Sequence, residues 1–248
     1  MLKDRVALVT GASRGIGAAT ALLLGKNGCK VGVNYNKSSE PAEKVVSEIK
    51  TAGSDAIAVQ ADVTSANDTK RMVAEVLDQF GRIDILVLNA GMAVPIKPFS
   101  ELTYDEFTTK TSGEIDCFIR TLQEVVPRMI SQKSGTIVGI SSTLSRYPGP
   151  GFSSHTTAKS GVDGLMKSLA AELGQHGIRV NTVAPGLTMT DSTSFMPEEQ
   201  VQALAQMTPL RRVASPEDIA GVVLCMVSDH MRFVTGAYIP VSGGMMMI

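Results

Sequence analysis

Thr10-Gly-Ala-Ser-Arg-Gly-Ile-Gly17 is the stretch that decides the fold. It follows the short apolar run Arg5-Val-Ala-Leu-Val-Thr10. It opens a segment, Ile16 to Asn27, whose apolar residues recur at helical spacing until Gly28 stops it. Glycines at 11, 15 and 17 permit a tight turn and let backbone N–H groups approach a pyrophosphate at a helix N-terminus. A glycine-rich turn alone often serves only to reverse the chain. Its place between a strand and a helix points instead to nucleotide binding.

Outward from that turn, strand and helix patterns alternate without a break. Lys30 to Asn34 and Ala56 to Gln60 read as strands, with a helix over Pro41 to Ala52 between them. Ala66 to Phe80 reads as an amphipathic helix, and Ile83 to Leu88 as a fourth strand. Tyr104 to Ile130 holds one long helix, with Pro127 expected near a bend or an end. Thr136 to Ile140, Arg179 to Val183 and Ala237 to Pro240 supply three later strands. Apolar strands separated by helices of ten or more residues imply a parallel sheet with helices on both faces. The expectation is an α/β fold: one doubly wound Rossmann-type domain over residues 1–248, with about seven strands. The run Met245-Met-Met-Ile248 is expected to make a hydrophobic terminal contact.

Composition excludes several function classes. The formal net charge is -1 and the pI about 6.3, so no basic field is offered to nucleic acid or an anionic membrane. Aromatic residues make up 4%, with no Trp, which argues against stacking platforms for bases. Cys29, Cys117 and Cys225 are odd in number and far apart, suggesting reduced, mostly buried thiols. His176 and His230 have no ligand spacing with each other or with His155, so no metal site is expected. No charged-then-apolar leader opens the chain and no 18-residue apolar run occurs, which makes the cytoplasm the expected location.

Further motifs carry a family resemblance. The spacing Gly-x-x-x-Gly-x-Gly at 11–17, Asp62-Val63 after the third strand, Asn89-Ala-Gly91 after the fourth, and Pro185-Gly-Leu-Thr-Met-Thr190 occur in one order. Ser142, followed after twelve residues by His155-Thr-Thr-Ala-Lys159, completes the set. Together they resemble the short-chain dehydrogenase/reductases, and among them most closely the 3-oxoacyl-carrier-protein reductases, over residues 3 to 246. The resemblance implies a nicotinamide cofactor held by Gly11, Ser13, Arg14, Gly15, Ile16 and Gly17, by Asp62 and Val63 at the adenine, and by Asn89, Ala90 and Gly91 beneath it. It further implies that Pro185, Gly186, Thr188 and Thr190 hold the nicotinamide carboxamide. It assigns a substrate lid to about 188–210, and subunit packing in a homotetramer to Gly236 and the Gly243-Gly244 pair, where Ser242 stands in place of the usual Asp.

Cofactor choice is read at the end of the second strand. NAD binders place a carboxylate there for the ribose diol. This chain has Asn34-Tyr-Asn-Lys-Ser38 and no carboxylate before Glu40. Asn36, Lys37 and Ser38, with Arg14 from the glycine-rich turn, suit a 2′-phosphate and favour NADP(H). The plainer alternative makes Arg14 and Lys37 solvated surface charges.

The resemblance puts catalytic roles on Ser142, which holds the substrate oxygen, and on Lys159, which grips the ribose. Position 155, where the family has a proton-exchanging tyrosine, is histidine. Register places Glu114 where the family has asparagine. Beside a lysine, an imidazole tends to stay neutral and to act as a base. A carboxylate within reach favours imidazolium instead, unless Glu114 pairs with Lys159. Tyr147 is a weaker candidate for the lost phenol and a stronger one for the cleft wall. Phe195, Met196, Leu204 and Met207 either wall the lid or form the core of two short helices. Three readings stay open: an NADP(H)-dependent oxidoreductase acting on a small or carrier-bound carbonyl or a secondary alcohol; an isomerase, dehydratase or cyclase on the same fold; and an inactive cofactor-binding subunit.

Overall fold

A computed structural model describes residues 2–247. The strands are β1 (Val6–Val9), β2 (Lys30–Tyr35), β3 (Ala56–Gln60), β4 (Ile85–Leu88), β5 (Gly135–Ile140), β6 (Ile178–Pro185) and β7 (Tyr238–Val241). They form one parallel sheet in the order β3-β2-β1-β4-β5-β6-β7. The helices are α1 (Gly15–Lys26), α2 (Ser39–Thr51), α3 (Ala66–Phe80), α4 (Tyr104–Gln132), α5 (Ser153–Leu173), α6 (Glu198–Met207) and α7 (Pro216–Val227).

Successive strand residues point to opposite faces, and each face meets its own helices. Ala7 and Val9 of β1 join Ala21 and Leu24 of α1, Val45 and Ile49 of α2, and Ile219 and Val223 of α7. Val6 and Leu8 join Met72 and Val76 of α3, Phe118 and Val125 of α4, and Val162 and Met166 of α5. Every residue of β1 and β4 is buried, as a strand covered on both sides requires. At β1 the strand order reverses, since it pairs with both β2 and β4. In sheets of this kind ligands bind at that point, beyond the carboxyl ends of the strands.

Strand ends fall within two residues of the sequence expectation. β6 is longer than expected, and β4 begins at Ile85 rather than Ile83. Helix α4 keeps Pro127 inside it and runs on to Gln132. Pro127 and Gln123, whose carbonyl loses its helical partner to the proline, both lie on the exposed side of the helix, where such a loss costs least. The start of α4 is fixed by a capping box between Thr103 and Glu106. Of the terminal run, Met245 and Met246 are half-buried, Met247 is exposed, and Ile248 lies outside the described residues. No helix among the described residues is long and apolar enough to cross a membrane.

Candidate active site

The glycine-rich turn is built as an anion cradle. Gly11 and Gly15 adopt φ of +61° and +55°, the left-handed region that suits glycine. Helix α1 has no side-chain cap and no acidic residue in its first turn, so its leading N–H groups and positive dipole end are free for a phosphate. A side chain at Gly17 would run into Asn89 and the Gly11 carbonyl. Asn89 donates through Nδ2 to the carbonyls of Thr10 (2.9 Å) and Gly11 (3.0 Å), while Thr10 Oγ1 accepts from the backbone of Asn89 and Ala90. The loops after β1 and β4 are thereby stitched together. This cradle fits the pyrophosphate of a dinucleotide.

At the end of β2 the structure separates residues that the sequence left together. Asn34 is buried: its Oδ1 accepts from Gly11 N at 3.0 Å, and its Nδ2 donates to the Ala61 and Val59 carbonyls at 3.1 and 3.3 Å. It braces the turn and faces no ligand. Asn36, Lys37 and Ser38 lie further out, and the Arg14 guanidinium reaches from the turn to donate to Ser38 Oγ. Asp62 lies beside Asn36 and Lys37, its carboxyl held below the ordinary range chiefly by hydrogen bonds from Thr64. Its neighbour Val63 is buried.

The catalytic candidates converge at the carboxyl end of β5. Ser142 lies two residues past that strand, and its Oγ accepts from Leu144 N at 3.2 Å. His155 occupies the first turn of α5, and Lys159 follows one turn later. The Lys159 ammonium donates to the Ile140 carbonyl at 2.7 Å, which ties α5 to the end of β5, two residues before Ser142. Its second partner is Glu114 Oε1, also at 2.7 Å.

Glu114 is fully buried on α4, and its other oxygen receives Lys110 Nζ at 2.6 Å and Met92 N at 2.9 Å. Lys110, itself buried, donates also to the Met92 carbonyl at 2.8 Å. Burial opposes ionisation of Glu114, yet the two ammonium groups outweigh it and bring its carboxyl down to about 2. The alternatives left open for Glu114 are thus resolved in favour of Lys159, with no hydrogen bond to His155. Burial, and then the charge of Lys159, lowers His155 to about 4, so it is a neutral imidazole near pH 7. Its Nδ1 is buried with no hydrogen-bond partner, and its ring meets Phe152 edge-on at 6.3 Å.

The expectation missed Lys110. The available signal was its spacing, one turn before Glu114 on the helix read over Tyr104 to Ile130. Tyr147 is exposed on its loop. Cys29 and Cys117 are buried as expected, whereas Cys225 is exposed.

From the stretch 188–210, Thr190 and Asp191 approach the cradle. A side chain at Gly15 would touch Thr190 at 3.4 Å, and Arg14 lies 3.7 Å from Asp191. Thr188 is buried and donates to the Gly186 carbonyl, which in turn follows Pro185 at the end of β6. One helix forms here, α6, and none of its residues is buried. Phe195 and Met207 are exposed, and Met196 and Leu204 are only half-buried, so the reading of these four as core residues is corrected. The Gly243-Gly244 pair lies against Thr208 and Pro209, too close for side chains, and this gives it a role within the chain.

Comparison with known proteins agrees with this geometry. Residues 11–246 match a family model described as enoyl-(acyl carrier protein) reductase. The chain is 41% identical over 250 residues to the 3-oxoacyl-[acyl-carrier-protein] reductase FabG of Staphylococcus aureus strain Mu50, covering all of both chains. It is 37% identical to an L-rhamnose 1-dehydrogenase (NAD(P)(+)) of Sphingomonas sp. strain SKA58, across 99% of this chain and 97% of that one. The crystal structure of levodione reductase superimposes with a TM-score of 0.92 at 30% identity, covering 98% of each chain.

Proposed function

This chain belongs to the short-chain dehydrogenase/reductase family of oxidoreductases, and from that membership we propose that it transfers a hydride between NADP(H) and a carbonyl or secondary alcohol, with His155 in the proton-exchanging position where the family carries tyrosine. The observation that carries the reading is the bond from Lys159 to the Ile140 carbonyl. It joins the helix of His155 to the end of β5, two residues before Ser142, at the same end of the sheet as the uncapped α1 cradle. The cofactor would supply the hydride chemistry. In this reading Ser142 Oγ orients the substrate oxygen, Lys159 holds the ribose, and His155 moves the proton. Arg14, Lys37 and Ser38, with no carboxylate among them, support NADP(H) over NAD(H).

A neutral imidazole accepts a proton more readily than it gives one, which favours alcohol oxidation over ketone reduction near pH 7. The same base serves an isomerisation or elimination without net redox, and this is the second reading. By likeness to the family, the substrate is a small or carrier-bound carbonyl compound and the assembly a cytoplasmic homotetramer.

Following NADPH absorbance with a panel of ketones and alcohols in both directions, with NADH in parallel, tests the proposal. Turnover with NADP(H) that falls about 10²-fold or more in His155→Ala is expected for a general base. NADPH binding with no redox turnover of any substrate overturns it. His155→Tyr then separates the remainder: ketoreductase activity gained there favours the second reading, and none favours an inactive subunit.

A further inference from the structure

Lys110 is a buried lysine, 2% exposed, on the same face of α4 as Glu114, Cys117 and Phe118. Lysine is almost never buried to this degree unless paired. Its ammonium has two hydrogen-bond targets: Glu114 Oε2 at 2.6 Å and the Met92 carbonyl at 2.8 Å. Glu114 Oε2 also takes the Met92 N–H, so the Met92 peptide is gripped on both of its polar groups. Gly91, just before it, lies so close to Glu114 that a Cβ there would stand 2.9 Å from Oε1. Held from one side by Lys110 and Met92, the carboxylate presents Oε1 to Lys159.

We propose that Lys110 is a positioning residue of the active site: it holds Glu114 by Oε2 so that Oε1 stands on Lys159, and with Glu114 it sets the net charge that His155 faces. The inference rests on the oxidoreductase reading for its effect on turnover, but not for its effect on His155. Two lysines and one glutamate leave one net positive charge, the same as a lone Lys159 would. The charged groups facing His155 are Lys159 on its own helix and Lys110 and Glu114 on α4. The loop after β5, packed on the first turn of α5 through the bond from Thr156 Oγ1 to the Leu144 carbonyl, turns its cation Arg146 onto the Tyr238 ring. Removing Lys110 alone therefore makes the surroundings of His155 less positive, removing the Glu114 charge alone makes them more positive, and removing both restores the balance.

The test follows the ring resonances of His155 by NMR against pH in the wild type, Lys110→Met, Glu114→Gln and the double variant, assigned by their loss in His155→Ala. His176 and His230 serve as internal controls. The expected order of midpoints is Glu114→Gln lowest, wild type and double variant together, and Lys110→Met highest. In parallel, kcat of Lys110→Met falls about 10²-fold, the size of effect produced by displacing a catalytic group by about 1 Å. One midpoint shared by all four proteins overturns the proposal, as does a kcat for Lys110→Met within about twofold of wild type. The double variant replaces a buried ion pair by a neutral pair, a change that folded proteins tolerate. Should Lys110→Met not fold, the lowered midpoint of Glu114→Gln and its return in the double variant carry the test. Should the wild type turn over no substrate, the oxidoreductase reading fails and the midpoints alone decide the placement of Lys110.

Discussion

Gly91 shows how a single missing side chain shapes the site. Its hydrogen points at the Glu114 carboxylate, where a methyl group would sit 2.9 Å from one oxygen and 3.1 Å from the other. Both oxygens are already committed, to Lys159 and to Lys110 and Met92, so the carboxylate has nowhere to retreat. Gly91→Ala is expected to cost about 1–3 kcal/mol of stability by overpacking, measured by chemical denaturation, and to lower kcat through displacement of Lys159. Unchanged values for both would show that α4 can yield. The glycine was legible in the sequence only as part of a motif after the fourth strand. Its physical reason needed the position of Glu114, which lies 23 residues further along the chain and on another element.

Among the elements, β2 and α4 mark the limits of reading from sequence. The apolar runs of the strands and the glycine-rich start of α1 were plain, because both are local patterns in the sequence. Asn34 was not, since its role depends on β1 and β3 arriving on either side. Its amide reaches Gly11 of the phosphate turn and the carbonyls of Val59 and Ala61 at the end of β3. Asn34→Ala strands a buried N–H and two carbonyls, at about 1–3 kcal/mol for each group left unsatisfied. Thermal unfolding and NADPH titration should show a less stable protein with weaker cofactor binding. Unaltered affinity would detach the turn from β2. On α4, the register that put Glu114 in the site was readable, but which of His155 and Lys159 it faced depended on how α5 packs against α4. Such a distance is set by tertiary packing and has no local signature.

At the scale of the whole molecule, the buried titratable groups tie stability to pH. His155 is lowered in the folded state from 6.5 to about 4, so the unfolded chain binds its proton first as the solution is acidified. Stability is therefore full above pH 6.5 and declines down to about pH 4. Glu114 is lowered from 4.5 to about 2, so its contribution is present above 4.5 and is lost as pH falls through about 2. The two losses follow one another in the same direction. Melting temperatures from pH 7 to 4 should drop, and His155→Tyr should flatten the upper part of that slope; an identical slope in the variant would remove His155 from the cause. The sheet order has a consequence of another kind, for the growing polypeptide. β1 ends in the interior of the sheet, apolar on both faces, yet its second neighbour β4 is not made until residues 85–88. From the time β2 pairs until β4 emerges, the future centre of the molecule is an open edge, able to recruit any passing strand. The interval in which a ribosome-bound chain most needs shielding is therefore the synthesis of α2, β3 and α3, well before any residue of the catalytic cluster exists.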